Sequence, residues 1–206
     1  QPAGLNKGTS GNVSVRAGDG FLITPTGMPY ASLVADDIPL MGLDGSYQGK
    51  RKPSSEWRFH RALYASRPEV GAVLHAHSPF AVSLACLRRD IPPFHYMVVQ
   101  AGGADIRCAG YATFGSQALS DLALAALADR QACLLAHHGQ VTLGATLAQA
   151  LALAVEVETL ARMYLAALQL GEPLLLSEAE MGRVAEQMRK RHYGALAPGV
   201  PPHQQP

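Results

Sequence analysis

Short apolar runs alternate along the chain with longer segments that have helical periodicity. Val13–Val15 and Phe21–Thr24 flank the sequence AGDG, a pattern typical of two strands joined by a hairpin turn. Ala72–Leu74 and Cys133–Leu135 are further short apolar runs, and a histidine soon follows each. These four segments are predicted to be strands, and the short turn between the first two favours a partly antiparallel sheet.

Helical spacing of apolar residues is clearest in segments 115–130, 146–170 and 177–191. Ser177 is a candidate cap of the last segment, with Glu180 three residues on. Ser54 or Ser55 can cap a further helix that runs to about Ser66. Because strands and helices interleave, the predicted class is α/β.

The composition narrows the possible functions. The chain has 206 residues, of which 48% are hydrophobic and 16% charged, so a single domain with a substantial core is expected rather than global disorder. A net charge of +1 gives no electrostatic argument for nucleic acid or for an anionic membrane. The longest run without Asp, Glu, Lys or Arg, residues 131–155, contains histidines, glutamines and glycines and is too polar for a membrane span.

The cysteines indicate the cellular compartment that we expect, and the two ends of the chain indicate the domain boundaries. The three cysteines are odd in number and widely spaced, which favours free thiols in a reducing compartment, and no signal peptide is visible, so we expect a cytoplasmic protein. The sequence starts at Gln1 without methionine, and we expect further residues before it. Residues 1–194 are predicted to form the single folded domain, and residues 195–206 a mobile Pro-rich tail.

Two histidine pairs carry the strongest chemical signal. In an extended segment, residues i and i+2 point to the same face, so His75 and His77 are expected to project side by side. A second apolar run ends in His137-His138-Gly139, of which one histidine is expected to join the pair, with Gly139 permitting a sharp turn. Three imidazoles would leave an open position on a Zn²⁺ ion, which is the pattern of a catalytic site.

Three polar segments are candidate anion sites. In Pro53–His60, two hydroxyls and main-chain N–H groups stand at a predicted helix start, with Glu56 in the first turn and His60 one turn on as a packing or supporting residue. Gly8–Ser14 and Thr24–Gly27 are Gly/Ser/Thr turns at strand ends, which can present N–H groups to phosphate. No GxxxxGK[ST], GxGxxG or GxSxG motif occurs, so nucleotide binding and a serine nucleophile elbow have no support.

Seven segments together resemble the class II aldolase/adducin family. They are, in order, GTSGNVSVR, ITPTGMPY, PSSEWRFH, AVLHAHSPFAV, IPPFHYM, GYATFG and LLAHHG, and the resemblance covers roughly Leu5 to Tyr193. It implies a three-layer α/β/α domain with a largely antiparallel central sheet, assembled as a homotetramer with sites at subunit interfaces.

The resemblance also implies a site. One Zn²⁺ ion per subunit would be held by Glu56, His75, His77 and His138, and Glu56 would act as the acid/base in turnover. Tyr96 would reach a neighbouring subunit's site, Phe114 would line the aldehyde end, and Tyr193 is the candidate for a tyrosine that closes the site. Substrate phosphate would be held by Gly11, Asn12, Thr26, Gly27, Ser54 and Ser55.

The implied reaction is reversible cleavage of a ketose 1-phosphate to dihydroxyacetone phosphate and a short aldehyde. L-fuculose 1-phosphate, which gives L-lactaldehyde, is the first expectation. Alternatives are a related aldolase for 5-deoxyribulose or 5-methylthioribulose 1-phosphate, a sugar-phosphate epimerase, and a non-catalytic adducin-like module. Related epimerases carry aspartate where this chain has Glu56, and adducin-type heads lack the zinc histidines, so both of the last two are disfavoured.

Overall fold

The computed structural model describes residues 3–190, so Tyr193 and the predicted tail at 195–206 lie outside the described residues. The described chain forms one sheet and five α-helices. The strands are β1 Asn12–Ala17, β2 Gly20–Ile23, β3 Leu40–Gly42, β4 Tyr47–Gln48, β5 Ala72–Ala76, β6 Arg107–Ala109, β7 Ala132–Leu135 and β8 Gly139–Gly144. The helices are α1 Trp57–Ser66, α2 Pro79–Cys86, α3 Gln117–Ala126, α4 Leu147–Leu170 and α5 Glu178–Lys190.

The sheet is largely antiparallel, as predicted. Its strand order is β4-β3-β2-β1-β5-β8-β7-β6, and among these neighbours β6 and β7 are the parallel pair. The predicted hairpin joins β1 to β2 through Gly18, whose φ of 54° is in the region that glycine adopts without strain. Strands β1, β5 and β8 therefore lie side by side at the centre of the sheet.

Helices cover both faces of the sheet, which confirms the predicted three-layer α/β/α arrangement. Val73 of β5 and Leu135 of β7 belong to a core cluster that includes Phe59 and Leu63 of α1 together with residues of α3. On the opposite face, Leu74 and Ala76 pack in a cluster with Ala150 and Ala154 of α4. Alternate residues of the central strands thus face different helix layers, as the two-residue period of a strand requires.

The helix boundaries follow the sequence signals closely. Ser177 accepts a hydrogen bond from the main-chain N–H of Glu180 at 3.2 Å, which confirms the predicted cap of α5. Helix α3 ends earlier than the predicted 130, and Asp129 adopts a left-handed φ of 57° just beyond it. The predicted serine cap of α1 is wrong, because Glu56 is the residue that precedes the helix and no side chain caps it, so Glu56 stands before the first turn rather than in it. Ser54 Oγ accepts a hydrogen bond from the N–H of Glu56.

Within residues 3–190, no helix combines the length and the apolar run that a membrane crossing needs.

Candidate metal centre and adjoining pocket

Four side chains that could hold a metal ion meet at one end of the sheet. The ligand atoms of Glu56, His75, His77 and His138 all lie within 4.8 Å of one another. The Nε2 atoms of His75 and His77 are 2.9 Å apart. Glu56 faces two of the imidazoles, with Oε2 3.2 Å from His75 Nε2 and Oε1 3.3 Å from His138 Nε2.

Antiparallel pairing of β5 with β8 brings these segments together. His75 pairs with Val141 and Ala76 with Gln140, so the turn between β7 and β8 lies beside the end of β5. His75 is the fourth residue of β5 and His77 follows the strand's last residue, which places both imidazoles on one side as the HxH spacing predicts. Glu56 arrives from the other direction, at the residue preceding α1.

The choice between the two adjacent histidines is made by the turn. His138 contributes its imidazole to the cluster, with ring centroids 4.8 Å from His75 and 4.9 Å from His77. His137 is exposed and instead accepts a hydrogen bond from Arg88 Nε at 3.2 Å, while its ring lies against Tyr111.

The expectation that Gly139 provides the turn is wrong. His137 itself takes the left-handed conformation, with φ of 56°, whereas Gly139 is the first residue of β8. Glycine is required at 139 for a different reason, because a Cβ there would lie 2.4 Å from the carbonyl oxygen of Ala76 and 3.1 Å from the rings of His75 and His77.

The cluster fits a zinc ion. In tetrahedral coordination with bonds of about 2.0–2.1 Å, neighbouring ligand atoms are about 3.3 Å apart, close to the separations between Glu56 and the imidazoles. His75 Nδ1 donates a hydrogen bond to the main-chain oxygen of Gln140 at 2.9 Å, which leaves the Nε2 lone pair facing the cluster. Glu56 Oε1 is buried with no hydrogen-bond partner among the described residues, and a cation would satisfy it.

The electrostatics keep Glu56, His77 and His138 in the forms that bind a metal ion. The pKa of His77 and of His138 is lowered to about 4, mainly by burial and in addition by the charge of His75. Burial alone would raise the pKa of Glu56, but hydrogen bonding and charge from His75, with the charge of His138, outweigh it and lower the pKa to about 2. At neutral pH the site therefore offers lone pairs and an ionised carboxylate.

A pocket of about 320 Å³ adjoins the cluster, and it contains all six predicted phosphate-binding residues. The structure brings together three turns that are far apart in sequence. His77, His138 and Glu56 form part of the same wall. The predicted phosphate-binding residues that line the pocket are Gly11, Asn12, Thr26, Gly27, Ser54 and Ser55.

Two of these six residues have structural tasks as well. Gly11 has a φ of 75°, and a Cβ there would lie 2.5 Å from Asn6 Nδ2 and 2.6 Å from the carbonyl oxygen of His75. Asn12 is buried, and its Nδ2 donates a hydrogen bond to Glu56 Oε2 at 3.0 Å. The Asn12 side chain is therefore engaged with the Glu56 carboxylate of the cluster.

The aromatic residues predicted at the aldehyde end are divided between two places. Phe114 lines the pocket and is 66% exposed. Tyr96 begins a 3-10 helix, Tyr96–Ala101, and is 47% exposed, but it does not line this pocket. Tyr193 lies outside the described residues. Sequence reasoning did not single out Tyr111, although it stands in the GYATFG segment that carries Phe114 and also lines the pocket.

Known proteins resemble this chain over most of its length. The family profile described as Class II Aldolase and Adducin N-terminal domain matches residues 2–165. A 5-methylthioribulose-1-phosphate/5-deoxyribulose-1-phosphate aldolase of Rhodospirillum rubrum is 56% identical over 198 residues, covering 96% of this chain and 90% of the relative. L-fuculose phosphate aldolase of Escherichia coli K12 is 48% identical over 187 residues, covering 90% and 87%. A solved structure described as L-fuculose 1-phosphate aldolase superposes with a TM-score of 0.87 at 40% identity, covering 90% of this chain and 88% of that one.

Proposed function

This chain belongs to the class II aldolase and adducin family, and from that premise we propose that it is a zinc-dependent aldolase that reversibly cleaves a ketose 1-phosphate. The products are dihydroxyacetone phosphate and a short aldehyde. The observation that carries the proposal is the convergence of Glu56, His75, His77 and His138 beside a pocket lined by three polar turns. Residues 1–194 are proposed as the catalytic domain, and the odd, widely spaced cysteines support a reducing, cytoplasmic setting.

His75, His77, His138 and Glu56 would hold the zinc ion. When bound, zinc supplies Lewis-acid stabilisation of the negative charge that develops on substrate oxygens during carbon–carbon cleavage. Three neutral nitrogens and one carboxylate oxygen are a common zinc donor set, which supports this metal over calcium or magnesium.

The polar turns are proposed to anchor the substrate's phosphate. Ser55 is exposed to the pocket, and Thr26 and Gly27 lie on another turn that lines it. Hydroxyls and main-chain N–H groups can donate to phosphate oxygens, and Ser54 and Ser55 also stand just before the N-terminus of α1, where an anion is favoured. Anchoring at this end fixes the orientation of the carbon chain relative to Glu56.

Glu56 is proposed to move the proton at the carbon that separates from the aldehyde. The residue is 6% exposed, its Oε1 has no hydrogen-bond partner among the described residues, and it lines the pocket. The lowered pKa keeps the carboxylate ionised and able to accept a proton at neutral pH. In the condensation direction the carboxylate removes this proton from dihydroxyacetone phosphate. In cleavage, the electron pair of the broken carbon–carbon bond stays on that carbon, the hydroxyl that becomes the aldehyde oxygen loses its proton, and protonated Glu56 delivers a proton to the carbon to give dihydroxyacetone phosphate.

The aldehyde oxygen is proposed to be handled by Tyr96 of a neighbouring subunit in a homotetramer. Tyr96 is exposed on its own subunit and stands apart from that subunit's pocket, which supports a role across an interface. Phe114 is proposed to line the aldehyde end, and Tyr193 to close the site.

The aldehyde distinguishes the candidate substrates. The Rhodospirillum rubrum relative, named for 5-methylthioribulose and 5-deoxyribulose 1-phosphates, is more similar to this chain than the Escherichia coli relative named for L-fuculose phosphate. The exposed rings of Phe114 and Tyr111 along the pocket also suit a methyl or methylthio group. We therefore propose 5-deoxy- and 5-methylthioribulose 1-phosphates alongside L-fuculose 1-phosphate.

The experiment is a panel of these three ketose 1-phosphates assayed with the zinc-loaded protein for release of dihydroxyacetone phosphate. The highest kcat/KM identifies the aldehyde that the site prefers. A sugar-phosphate 4-epimerase substrate serves as the control for the epimerase alternative. Absence of dihydroxyacetone phosphate release from every member, with zinc bound, would refute the proposed function.

A further inference from the structure

A continuous chain of buried hydrogen bonds leads from the metal-facing carboxylate into the core beside α1. Asn12 Nδ2 donates to Glu56 Oε2 at 3.0 Å, and Asn12 Oδ1 lies 2.5 Å from His60 Nε2. On the other side of the ring, His60 Nδ1 lies 2.6 Å from Ser14 Oγ, which lies 2.8 Å from the hydroxyl of Tyr64. His60 has no exposed surface, and Asn12 and Ser14 are each 2% exposed.

The chemistry of the groups fixes the direction of each bond. The Asn12 amide must turn its NH₂ group to Glu56, since its oxygen would repel the carboxylate. Its oxygen then faces His60, which must present Nε2–H as the donor. A neutral imidazole protonated on Nε2 accepts at Nδ1, so Ser14 donates there and Tyr64 donates to Ser14. Burial lowers the pKa of His60 to about 3, in agreement with a neutral ring.

We propose that His60 is a positioning residue that locks the Asn12 amide and thereby holds Glu56 Oε2, leaving Oε1 directed at the metal and the substrate. His60 and Glu56 stand four residues apart at the start of α1, and Asn12 stands on the adjoining strand β1. The ring is stacked on Phe59 with centroids 4.5 Å apart, so it has a fixed place from which to act. This gives the Asn12 side chain a task besides the phosphate contact, and it rests on the proposed function of Glu56.

Two amide substitutions separate the two sides of the ring. His60→Gln can return an N–H group near the place of Nε2 and keep the bond to Asn12. His60→Asn reaches only the place of Nδ1 and keeps the bond to Ser14 alone. Both variants leave a polar side chain of similar size in the same buried site, so their thermal unfolding midpoints serve as the control for the fold.

We expect His60→Asn to lower kcat by about tenfold to a hundredfold, the usual effect of removing an outer partner of a metal ligand, with KM for the ketose 1-phosphate changed less than threefold. His60→Gln should stay within threefold of the wild type in both constants. In Co²⁺-substituted protein, the visible absorption spectrum of His60→Asn should differ from that of the wild type, and His60→Gln should match it.

Equal kcat values for the two variants, or a Co²⁺ spectrum of His60→Asn identical to the wild type, would overturn the assignment. If His60→Asn does not fold, Ser14→Ala carries the test. It removes the donor to Nδ1, and an unchanged kcat and spectrum would equally overturn the assignment. A wild-type protein that binds Co²⁺ but cleaves no ketose 1-phosphate would refute the proposed function, and the spectra alone would then decide the positioning role.

Discussion

His75 Nδ1 donates a hydrogen bond to the main-chain carbonyl oxygen of Gln140 over 2.9 Å, across the two central strands β5 and β8. Because the acceptor is main chain, the bond does not depend on the side chain at position 140, which instead donates to Ser78 and to the carbonyl of Ala154. The orientation of this imidazole is therefore set by the sheet itself. The other three cluster residues depend on a strand end, a turn and a helix start, and they are the positions where substitutions are most informative.

Removing one imidazole should remove the metal. We expect His77→Ala to lose stoichiometric zinc and aldolase activity together, since two histidines and a carboxylate bind zinc less tightly than the full set. Metal content after dialysis, measured by mass spectrometry, checks this. His137→Ala is the matched control, because that ring is exposed and outside the cluster. A full equivalent of zinc in His77→Ala, or its loss from His137→Ala, would show that the ligands are misassigned.

Neutralising the carboxylate should separate metal binding from catalysis. Glu56→Gln is expected to keep zinc through the three histidines but to lose ketose 1-phosphate cleavage by roughly two to four orders of magnitude, the usual effect of removing a general acid/base. The variant should also fail to exchange a C–H proton of dihydroxyacetone phosphate with solvent deuterium, a partial reaction that NMR follows without any aldehyde. Exchange at the wild-type rate would mean that another group carries the proton.

The hydroxyl of Ser55, just before α1, should matter for substrate affinity but not for zinc binding. Ser55→Ala is expected to weaken binding of phosphoglycolohydroxamate by about tenfold, corresponding to one hydrogen bond to a charged group, with zinc content unchanged. Titration calorimetry measures this affinity. Ser66→Ala, an exposed serine at the end of α1, is the control and should bind like the wild type. Undiminished affinity in Ser55→Ala would remove this residue from the phosphate site.

Tyr96, which is proposed to act across a subunit interface, should affect the proton transfer at the aldehyde oxygen but not the proton transfer at the carbon. Tyr96→Phe is expected to slow cleavage while deuterium exchange into dihydroxyacetone phosphate survives, because the phenol acts at the aldehyde oxygen. Light scattering on the same samples should report a tetramer for the wild type. A fully active monomer would argue against both the assembly and this role.

The stability of the metal-free protein should fall as the pH falls. The pKa values of His77 and His138 drop from 6.5 to about 4 on folding, so between these limits the unfolded chain binds protons that the folded chain does not. The pKa of Glu56 drops from 4.5 to about 2 and adds a further loss below pH 4.5. Urea midpoints should therefore decrease from pH 6.5 to pH 4, and the decrease should be shallower in a His77→Gln, His138→Gln double variant. An equal slope in both proteins would contradict this origin.

Local periodicity predicted the α/β class, the partly antiparallel sheet and the His75–His77 pair, whereas the three-layer arrangement and the full set of four cluster residues came from the resemblance to a known family. The HxH spacing on a strand is enough to place His75 and His77 together, and the apolar runs are enough to identify β5 and β7. The residues alone did not decide which of His137 and His138 joins the cluster. Their orientation depends on a left-handed conformation at His137, which asparagine or glycine adopts more often.

Features that depend on packing between segments far apart in the sequence could not be predicted from local sequence patterns. The crowding that requires glycine at position 139 comes from residues of the neighbouring strand β5, and the periodicity of the sequence does not predict it. The same holds for the bonds that join Asn12 to Glu56 and His60, which are 44 and 48 residues away. Tyr111 lines the pocket because the loop after β6 lies beside the β7–β8 turn, a contact between distant segments that the sequence does not predict.

The four cluster residues come from three separate stretches of the chain, the start of α1, the end of β5 and the β7–β8 turn. An ion held there would cross-link these stretches and would be bound by the folded chain alone. Free zinc would then act as a thermodynamic partner in folding, contributing about 4 kcal/mol at a thousandfold excess over its dissociation constant. When zinc is scarce, more of the chain would be unfolded and open to degradation, and the folded part would lack its metal. The amount of protein and its aldolase activity would therefore decline together.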